Sequence, residues 1–249
     1  MFYLSCRKKF DMRILIVAAT EMEVGGLRSE VGRWKSEVGS RKSEIGGLET
    51  KVDSKISDLR PLTSDINMLI TGVGMVATAF GLGKHLAANT YDLAINLGIA
   101  GSFDRGVALG DVVEISQDTF AELGAEDGDD FLPIDKLGFG IGTFYASAEL
   151  ADVNKRNDIP TLRDVNSITV NSVHGNEATI KKLVERLNPQ LESMEGAAFF
   201  YACNQFNVPC MQIRAVSNYV EKRNRDNWQI GLAVKNLNNF ALNLLQVVS

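Results

Sequence analysis

The sequence is poor in cysteine, has no excess of positive charge and contains no long apolar run, and each shortage excludes a class of protein. Its 249 residues include 3 cysteines, an odd number without the spacing of a metal site. The net charge of −5 argues against a general nucleic-acid-binding surface. No run reaches the roughly 18 apolar residues of a membrane-spanning helix. These features predict a protein of the reducing cytoplasm that binds neither nucleic acid nor a membrane.

Length and composition favour a single domain. A hydrophobic fraction of 45% supports one good-sized core, and α/β folds of this length often form one domain. Residues 1–11 (MFYLSCRKKFD) are too short and too charged for a signal peptide, and a clean strand pattern begins after them. We therefore interpret residues 1–11 as an N-terminal extension and residues 12–249 as the domain.

The stretch from about residue 28 to residue 55 differs from the rest of the chain. It is a seven-residue repeat that decays along its length, with the units RSEVGRW, KSEVGSR, KSEIGGL and ETKVDSK. Each unit has one apolar residue rather than the two of a coiled coil, and glycine weakens helix formation in three of them. We interpret residues 28–55 as a solvated insertion in the domain.

The first strand pattern leads to an acidic residue that has two interpretations. Residues 13–19 (RILIVAA) are a short apolar run typical of a buried parallel strand. Thr20 can cap the following helix, and Glu23 stands three residues later, as in a capping box. Glu23 is therefore either a capping acid alone or a general base at the carboxyl end of the strand.

A later helix–strand unit carries further polar candidates. Residues 194–203 form an apolar run typical of a buried helix, and residues 210–216 predict a strand covered on both faces. Ser217 and Asn218 stand just past the carboxyl end of that strand, where open α/β sheets bind their ligands. Glu195 needs a partner if it is buried, although on spacing alone an acid at a helix N-terminus is the simpler interpretation.

Two glycine-rich stretches follow predicted strands. Residues 72–77 read G-x-G-x-x-A, which resembles a dinucleotide-binding fingerprint. Because Asp92 begins the next strand instead of ending it, a tight strand-to-helix turn is the preferred interpretation. Gly98, Ala100 and Gly101 leave almost no side chain after another strand, so that a flat ligand can lie against the backbone.

Other polar stretches carry weaker signals. Residues 120–145 are acidic and predict a solvated loop, because their spacing matches no calcium-binding loop. His174 follows a predicted strand at residues 167–173, and we interpret it as structural rather than catalytic. Residues 230–247 have the apolar spacing of a final helix packed on the core.

Three of these motifs resemble the nucleoside phosphorylase and nucleosidase superfamily. They are residues 19–24 (ATEMEV), 194–198 (MEGAA) and 214–218 (RAVSN). The resemblance implies a single α/β domain with a mixed, twisted central sheet flanked by helices. It also implies a small-molecule nucleoside substrate, no metal or cofactor, and a homodimer or larger homo-oligomer.

The same resemblance implies roles for individual residues. Glu23 activates the attacking water, Glu195 grips the ribose 2′- and 3′-hydroxyls, and Asn218 meets the purine at N7 as the second catalytic residue. Because residues 18–24 contain no arginine to bind phosphate, water is the expected nucleophile. The remaining predicted substrate contacts near the sugar and base are Met194, Ala100, Gly101 and Ser217.

The amide of Asn218 is informative about the base. Adenosine-type nucleosidases of this superfamily usually have an aspartic acid there, which can protonate N7. An amide cannot deliver that proton, but it can donate an N–H to N7 or O6 of a 6-oxopurine. Together with Arg223 and Trp228, Asn218 resembles the futalosine hydrolases of the menaquinone pathway, whose substrate is an inosine with a benzoate-bearing tail. Arg223 or Arg225 is a candidate partner for the tail carboxylate, with plain surface charge as an equally weighted alternative.

Two other functions stay open. Asn218 counts against a methylthioadenosine or S-adenosylhomocysteine nucleosidase. The presence of both Glu23 and Glu195 counts against a nucleoside-binding relative without turnover. Hypoxanthine release from futalosine, without adenine release from methylthioadenosine, distinguishes the three.

Overall fold

The strands of the computed structural model follow the apolar runs of the sequence. The structure describes residues 12–44, 65–154 and 158–248, so the predicted N-terminal extension and residues 45–55 of the predicted insertion lie outside it. The described strands are β1 (Arg13–Ala18), β2 (Asp65–Ile70), β3 (Leu93–Ser102), β4 (Val112–Phe120), β5 (Gly124–Asp127), β6 (Asp130–Pro133), β7 (Thr143–Tyr145), β8 (Arg163–Thr169), β9 (Leu191–Ser193) and β10 (Cys210–Tyr219).

Helices join most of these strands and cover the sheet. Among the described residues, none of them is long and apolar enough to cross a lipid bilayer. A 3₁₀ turn at Arg225–Asn227 precedes the last of them. The helices are α1 (Glu21–Glu44), α2 (Met75–Ala88), α3 (Leu150–Val153), α4 (Glu177–Leu187), α5 (Gly196–Gln205) and α6 (Ile230–Val248).

The main sheet is mixed and partly closed on itself. Its strand order is β10-β4-β8-β9-β3-β1-β2, and β10 also pairs with β3, so that the strands from β10 to β3 form a ring. Pairing is parallel between β10 and β3 but antiparallel between β10 and β4 and between β3 and β9. The predicted fold class, one α/β domain with a mixed central sheet flanked by helices, is confirmed.

Helices lie on both faces of the strands because the central strands are apolar on both sides. In β1, Ile14 and Ile16 pack in the cluster that contains the apolar residues of α1 and α6. Leu15 and Val17 alternate with them and pack in the second cluster, with α2 and α5. Burial of one such aliphatic side chain contributes about 1.5–3 kcal/mol to the free energy of unfolding.

One buried amide ties α6 to the first turns of α1. Asn238 donates from Nδ2 to the backbone carbonyl of Glu23 at 2.7 Å. Its Oδ1 accepts from the backbone N–H of Leu27, also at 2.7 Å. The amide therefore contacts a carbonyl and an N–H four residues apart in α1, and it fixes the backbone at Glu23.

Several elements depart from the predictions. β10 extends to Tyr219, so Ser217 and Asn218 lie inside the strand rather than past its end, and a register shift between Val216 and Asn218 marks a bulge. The acidic stretch at residues 120–145 contains the hairpin β5–β6 and strand β7 in place of a continuous loop. Helix α1 continues to Glu44, so the glycines within the first part of the predicted insertion do not end it.

Candidate active site

Glu23 combines the two roles that its position in the sequence allows. It lies in the first turn of α1 and is buried. Its Oε2 accepts hydrogen bonds from the N–H and the hydroxyl of Thr20 at 2.9 and 3.0 Å, as a capping acid does. Its Oε1 accepts from the N–H of Ile99 at 3.2 Å, which holds the carboxylate against β3. Capping therefore positions this carboxylate at the sheet rather than at the surface.

Glu195 is held by groups outside the helix that it precedes. Within the described residues, no amide of α5 bonds its carboxylate, so the simple helix-terminus interpretation is wrong. Oε1 accepts from the N–H of Gly74 at 3.0 Å, and Oε2 accepts from the N–H of Met194 at 3.3 Å. Gly72 and Gly74 have φ of 91° and 97°, which confirms the predicted tight turn and presents the Gly74 amide.

A buried arginine connects the two acids. Arg214 is 1% exposed, and its Nη1 lies 4.0 Å from Oε2 of Glu195. A Cβ built on Gly98 would lie 1.9 Å from Nη1 of Arg214 and 3.0 Å from Oε1 of Glu23. Both polar atoms therefore lie against the same side of Gly98, which is possible only because that residue has no side chain. The positive charge between two buried carboxylates offsets part of their desolvation.

The rest of the guanidinium is fixed by a hydrogen-bonded chain. Nε of Arg214 donates to Oε1 of Gln212 at 2.9 Å, and Nη2 donates to Oδ1 of Asn96. Nε2 of Gln212 donates to Oδ2 of Asp118 at 3.1 Å, and Thr169 donates to Oδ1 at 2.8 Å. Burial raises the pKa of the Asp118 carboxyl to about 6, although these hydrogen bonds act in the opposite direction.

Arg214 and its partners are the part of the site that sequence reasoning missed. Arg214 stood in a recognised motif but received no role. A charged residue inside the otherwise apolar run at residues 210–216 was the available signal, because a buried cation requires partners. The partners on β3 and β4 gave no local signal.

Asn218 lies further along the same pair of strands. It pairs with Gly101 of β3, and a Cβ on Gly101 would lie 3.2 Å from Nδ2 of Asn218. Its Oδ1 accepts from the hydroxyl of Ser217 at 2.8 Å, and its Nδ2 donates to the carbonyl of Tyr219 at 3.1 Å. The carbonyl oxygen of Ala100 lies 3.2 Å from the same Ser217 hydroxyl and is its alternative acceptor. The structure thus brings these four predicted contacts together at the end of β3.

A cavity lies beside this cluster rather than between the three predicted polar groups. Its volume is about 360 Å³. Glu23, Glu195 and Asn218 are absent from the described residues that line it, although Tyr219 follows Asn218 directly in the chain. The lining residues are Arg105, Leu109, Tyr219, Glu221, Asp226, Asn227, Trp228 and Gln229.

The two arginines predicted to meet a substrate carboxylate lie near this cavity without lining it. The guanidinium of Arg223 stacks over the ring of Trp228, with its Cζ 4.9 Å from the ring centroid. Arg225 is exposed in the 3₁₀ turn. Arg105 does line the cavity, but it pairs with Glu221 and stacks on Tyr219. In the described ranges, no group of three or more His, Cys, Asp or Glu side chains is arranged to hold a metal ion.

A family model described as the phosphorylase superfamily matches residues 49–249, which is well over half of the chain. The chain belongs to the phosphorylase superfamily. Two futalosine hydrolases are also similar to it in sequence. A futalosine hydrolase of Streptomyces coelicolor is 37% identical over 150 residues, which cover 60% of this chain and 63% of that protein. A futalosine hydrolase of Thermus thermophilus is 29% identical over 151 residues, with coverages of 59% and 67%.

These matches confirm the resemblance to futalosine hydrolases that the motifs indicated. The chain spans less than two thirds of the length of the first of these relatives. The whole-protein activity and substrate are therefore matters for a proposal.

Solved structures of the superfamily show the same fold. The native futalosine hydrolase of Helicobacter pylori has a TM-score of 0.70 at 15% identity, covering 94% of this chain and 97% of that one. A methylthioadenosine/S-adenosylhomocysteine nucleosidase of Colwellia psychrerythraea in complex with adenine has a TM-score of 0.70 at 21% identity, covering 95% and 96%. At these identities the similarity confirms the nucleoside phosphorylase-like architecture.

Proposed function

We propose that the chain is an N-ribosyl hydrolase that converts futalosine to hypoxanthine and dehypoxanthine futalosine, a step of menaquinone biosynthesis. The observation that carries the proposal is the placement of Glu23 and Glu195 around Arg214, with an amide at Asn218 near the same strand end. The curated relatives that match the chain are named futalosine hydrolases, which supports the same substrate.

The chemistry assigns one task to each polar group. Cleavage of an N-ribosidic bond passes through a ribosyl cation, by analogy with the oxocarbenium-like state of glycosidases. Glu23 takes the proton of the attacking water as that water bonds to C1′. Glu195 has two oxygens that each accept one backbone N–H, and the lone pairs that are left can accept the two ribose hydroxyls.

The purine base is bound and released beside Asn218, at the end of β3 and away from Glu23 and Glu195. Asn218 donates its N–H to N7 or O6 of the 6-oxopurine once it leaves the carbonyl of Tyr219. Gly101 allows the amide to lie close to the backbone of β3, where Ala100 and Ser217 complete the wall. Met194 presents its N–H to Glu195 and is the predicted neighbour of the sugar.

Water is the proposed nucleophile instead of phosphate. Residues 18–24, where β1 ends and α1 begins, contain no arginine. Arg105, which follows the glycine-rich end of β3, is already paired with Glu221. Arg214 already donates to Gln212 and Asn96. For the tail carboxylate, Arg223 and Arg225 remain the proposed partners because both lie close to the cavity beside Tyr219.

The test of the proposed function is a comparison of two substrates. We expect hypoxanthine release from futalosine, and no comparable adenine release from methylthioadenosine, when both are followed by chromatography. Comparable efficiency on the two substrates would favour a methylthioadenosine or S-adenosylhomocysteine nucleosidase. Binding of hypoxanthine without release from either substrate would favour a relative without turnover.

We propose that the chain works in the cytoplasm as a homodimer or larger homo-oligomer. The outer face of α2 and the turn before it support an interface, since Val73, Val76 and Phe80 are 56%, 77% and 72% exposed. Cys203 and Cys210 are buried free thiols, as expected in a reducing compartment.

A further inference from the structure

His174 and Glu192 form a buried pair that the proposed mechanism does not use. Nδ1 of His174 lies 2.7 Å from Oε2 of Glu192, and the backbone N–H of His174 donates to Oε1 at 3.0 Å. Their side chains are 10% and 2% exposed. One carboxylate therefore fixes both the backbone and the ring orientation of His174.

This pair lies beside the predicted base contact. Glu192 pairs with Gly101 across β9 and β3. A Cβ on Gly101 would lie 3.5 Å from Cγ of Glu192 and 3.2 Å from Nδ2 of Asn218. Asn218 and the aliphatic part of the Glu192 side chain thus both pack against Gly101, on the side where a Cβ would lie. The carboxylate of the same Glu192 side chain is hydrogen-bonded to His174.

The bond to Glu192 decides which ring nitrogen is available. A carboxylate accepts the proton on Nδ1, so Nε2 is the nitrogen that faces other partners. In the part of the chain that the structure describes, no hydrogen bond is made to Nε2, and Nε2 is not sealed from solvent. When the ring is protonated, Nε2 carries a transferable proton.

We propose that His174, oriented by Glu192, gives the departing purine the proton that the Asn218 amide cannot supply. The assignment rests on the proposed function, and it replaces the structural interpretation of His174. In the step, the oxygen of water bonds to C1′ while the C1′–N9 bond breaks and its electron pair moves to the purine. The proton of water goes to Glu23, and the Nε2 proton goes to N7, so that neutral hypoxanthine leaves. Solvent then returns a proton from Glu23 to His174.

The charges around His174 suit an acid at neutral pH. The hydrogen bond that the His174 ring donates to Glu192 raises the pKa of His174, burial lowers it, and the charges of Glu192 and Glu122 raise it. Arg186 on α4 opposes them. The net shift is upward, so the protonated form persists to higher pH than in a free histidine and is lost as the pH rises through the shifted pKa.

The test combines a pH profile with a titration of the same group. The chain has only 2 histidines, so their ring signals can be followed by NMR and assigned with the variants His174→Gln and His85→Gln. We expect kcat/KM of the wild type for hypoxanthine release to fall at high pH with the pKa that NMR gives for His174. We expect His174→Gln to lose this fall and to lower kcat by about 10²–10⁴-fold.

Two further variants separate proton transfer from a structural role. Glu192→Gln should move the fall of kcat/KM to lower pH, because it removes the charge that raises the pKa of His174. The matched control is His85→Gln, since His85 bonds Tyr91 at the end of α2; it should leave activity and profile unchanged.

The outcomes are distinguishable. The wild type can release hypoxanthine while its pH profile of kcat/KM does not fall at the pKa that NMR gives for His174. That result overturns the assignment of His174 and leaves the proposed function intact. The assignment is also overturned if His174→Gln lowers kcat but its kcat/KM has the same pH profile as the wild type. If the wild type releases no hypoxanthine, the proposed function fails and the assignment fails with it. The wild-type comparison decides the matter even if His174→Gln does not fold.

Discussion

At the scale of single residues, the site depends on how buried charges share their partners. Arg214 neutralises two carboxylates that would otherwise be costly to bury, and its own N–H groups are directed by Gln212 and Asn96. Removal of one partner from such a group leaves an uncompensated buried charge, which costs about 3–5 kcal/mol. Small changes at these residues should therefore affect activity, stability or both.

Glu23→Gln tests the proposed base. The amide keeps the size of the side chain but cannot take a proton from water, so kcat should fall by about 10²–10⁴-fold while substrate binding is largely kept. Single-turnover kinetics and calorimetric binding of futalosine measure the two effects. Glu21→Gln is the control, because Glu21 begins the same helix at the surface and pairs only with Arg28 among the described residues. Normal turnover by Glu23→Gln would remove the base from the mechanism.

Asn218→Asp tests the selectivity for the base. An ionised carboxylate in place of the amide has no N–H to donate and repels O6 of a 6-oxopurine. We expect kcat/KM for futalosine to fall by about 10-fold, since a hydrogen-bonding group left without its partner costs roughly 1–3 kcal/mol. An unchanged ratio of kcat/KM for futalosine and methylthioadenosine would show that Asn218 does not select the base.

Asp118→Asn tests the buried end of the hydrogen-bonded chain. Asp118 has a raised pKa of about 6 in the folded protein, so the folded state binds its proton more tightly than the unfolded state. The stability from this group is full below its ordinary pKa of 3.8 and is lost as the pH rises through 6. The variant lacks this loss, so its stability relative to wild type should improve by about 2 kcal/mol from pH 4 to pH 7. Urea denaturation at both pH values measures it, and a constant difference would contradict it.

The residues of the site were predictable from sequence to different degrees. Glu23 and Glu195 were noticeable in the sequence because an acid beside an apolar run needs a partner, and both are buried in the structure. Arg214 was visible but unassigned, since its partners come from strands that are distant in the sequence. His174 gave no catalytic signal in the sequence because Glu192, its hydrogen-bond partner, comes next to it only through the pairing of β8 with β9.

At the scale of elements, turns and strand pairings bring the polar groups together. The tight turn at residues 72–74 delivers an amide to Glu195, and the bare surface of β3 at Gly98 and Gly101 admits Arg214 and Asn218. Apolar periodicity predicted most strands and helices that build these contacts. It missed β9 and the bulge in β10, because a three-residue strand has no period and a bulge depends on the neighbouring strand.

Gly98→Ala tests the close approach on β3. The new Cβ would lie 1.9 Å from Nη1 of Arg214, so the guanidinium must move away from the two acids. A displacement of about 1 Å can cost about 10²-fold in kcat, which steady-state kinetics would detect. The control is Gly83→Ala in α2, where nothing lies within 4 Å of the added Cβ. It should keep full activity and gain about 0.5–1 kcal/mol of stability from helix propensity. Equal activity of both variants would contradict the role of Gly98.

At the scale of the whole molecule, a ring of strands carries Arg214, Asn218 and their neighbours on β3. The resemblance predicted a mixed sheet with helices on both sides, and it is confirmed. Closure through the pairing of β10 with both β3 and β4 was not predictable, because strand order depends on contacts between distant segments. The proposed homo-oligomer can be tested separately, because α2 has an exposed apolar face that could form the interface.

Phe80→Asp tests the proposed interface. A charge at a residue that is 72% exposed costs the monomer little, but it is unfavourable inside an apolar contact. We expect light scattering to give the mass of a dimer or larger oligomer for the wild type and a smaller mass for the variant. Phe139→Asp is the control, because Phe139 is equally open at 80% exposed but lies in the segment after β6. A wild-type monomer, or a variant of unchanged mass, would contradict an interface at α2.

The amide of Asn238 has a consequence for when activity can first appear. The carbonyl that it holds belongs to Glu23, and the two residues are 215 positions apart. During translation the proposed base leaves the ribosome early, but the side chain that fixes its backbone emerges only with the last helix. A nascent polypeptide can therefore position the proposed base correctly only after α6 has emerged, and chains that stop before α6 should be catalytically inactive.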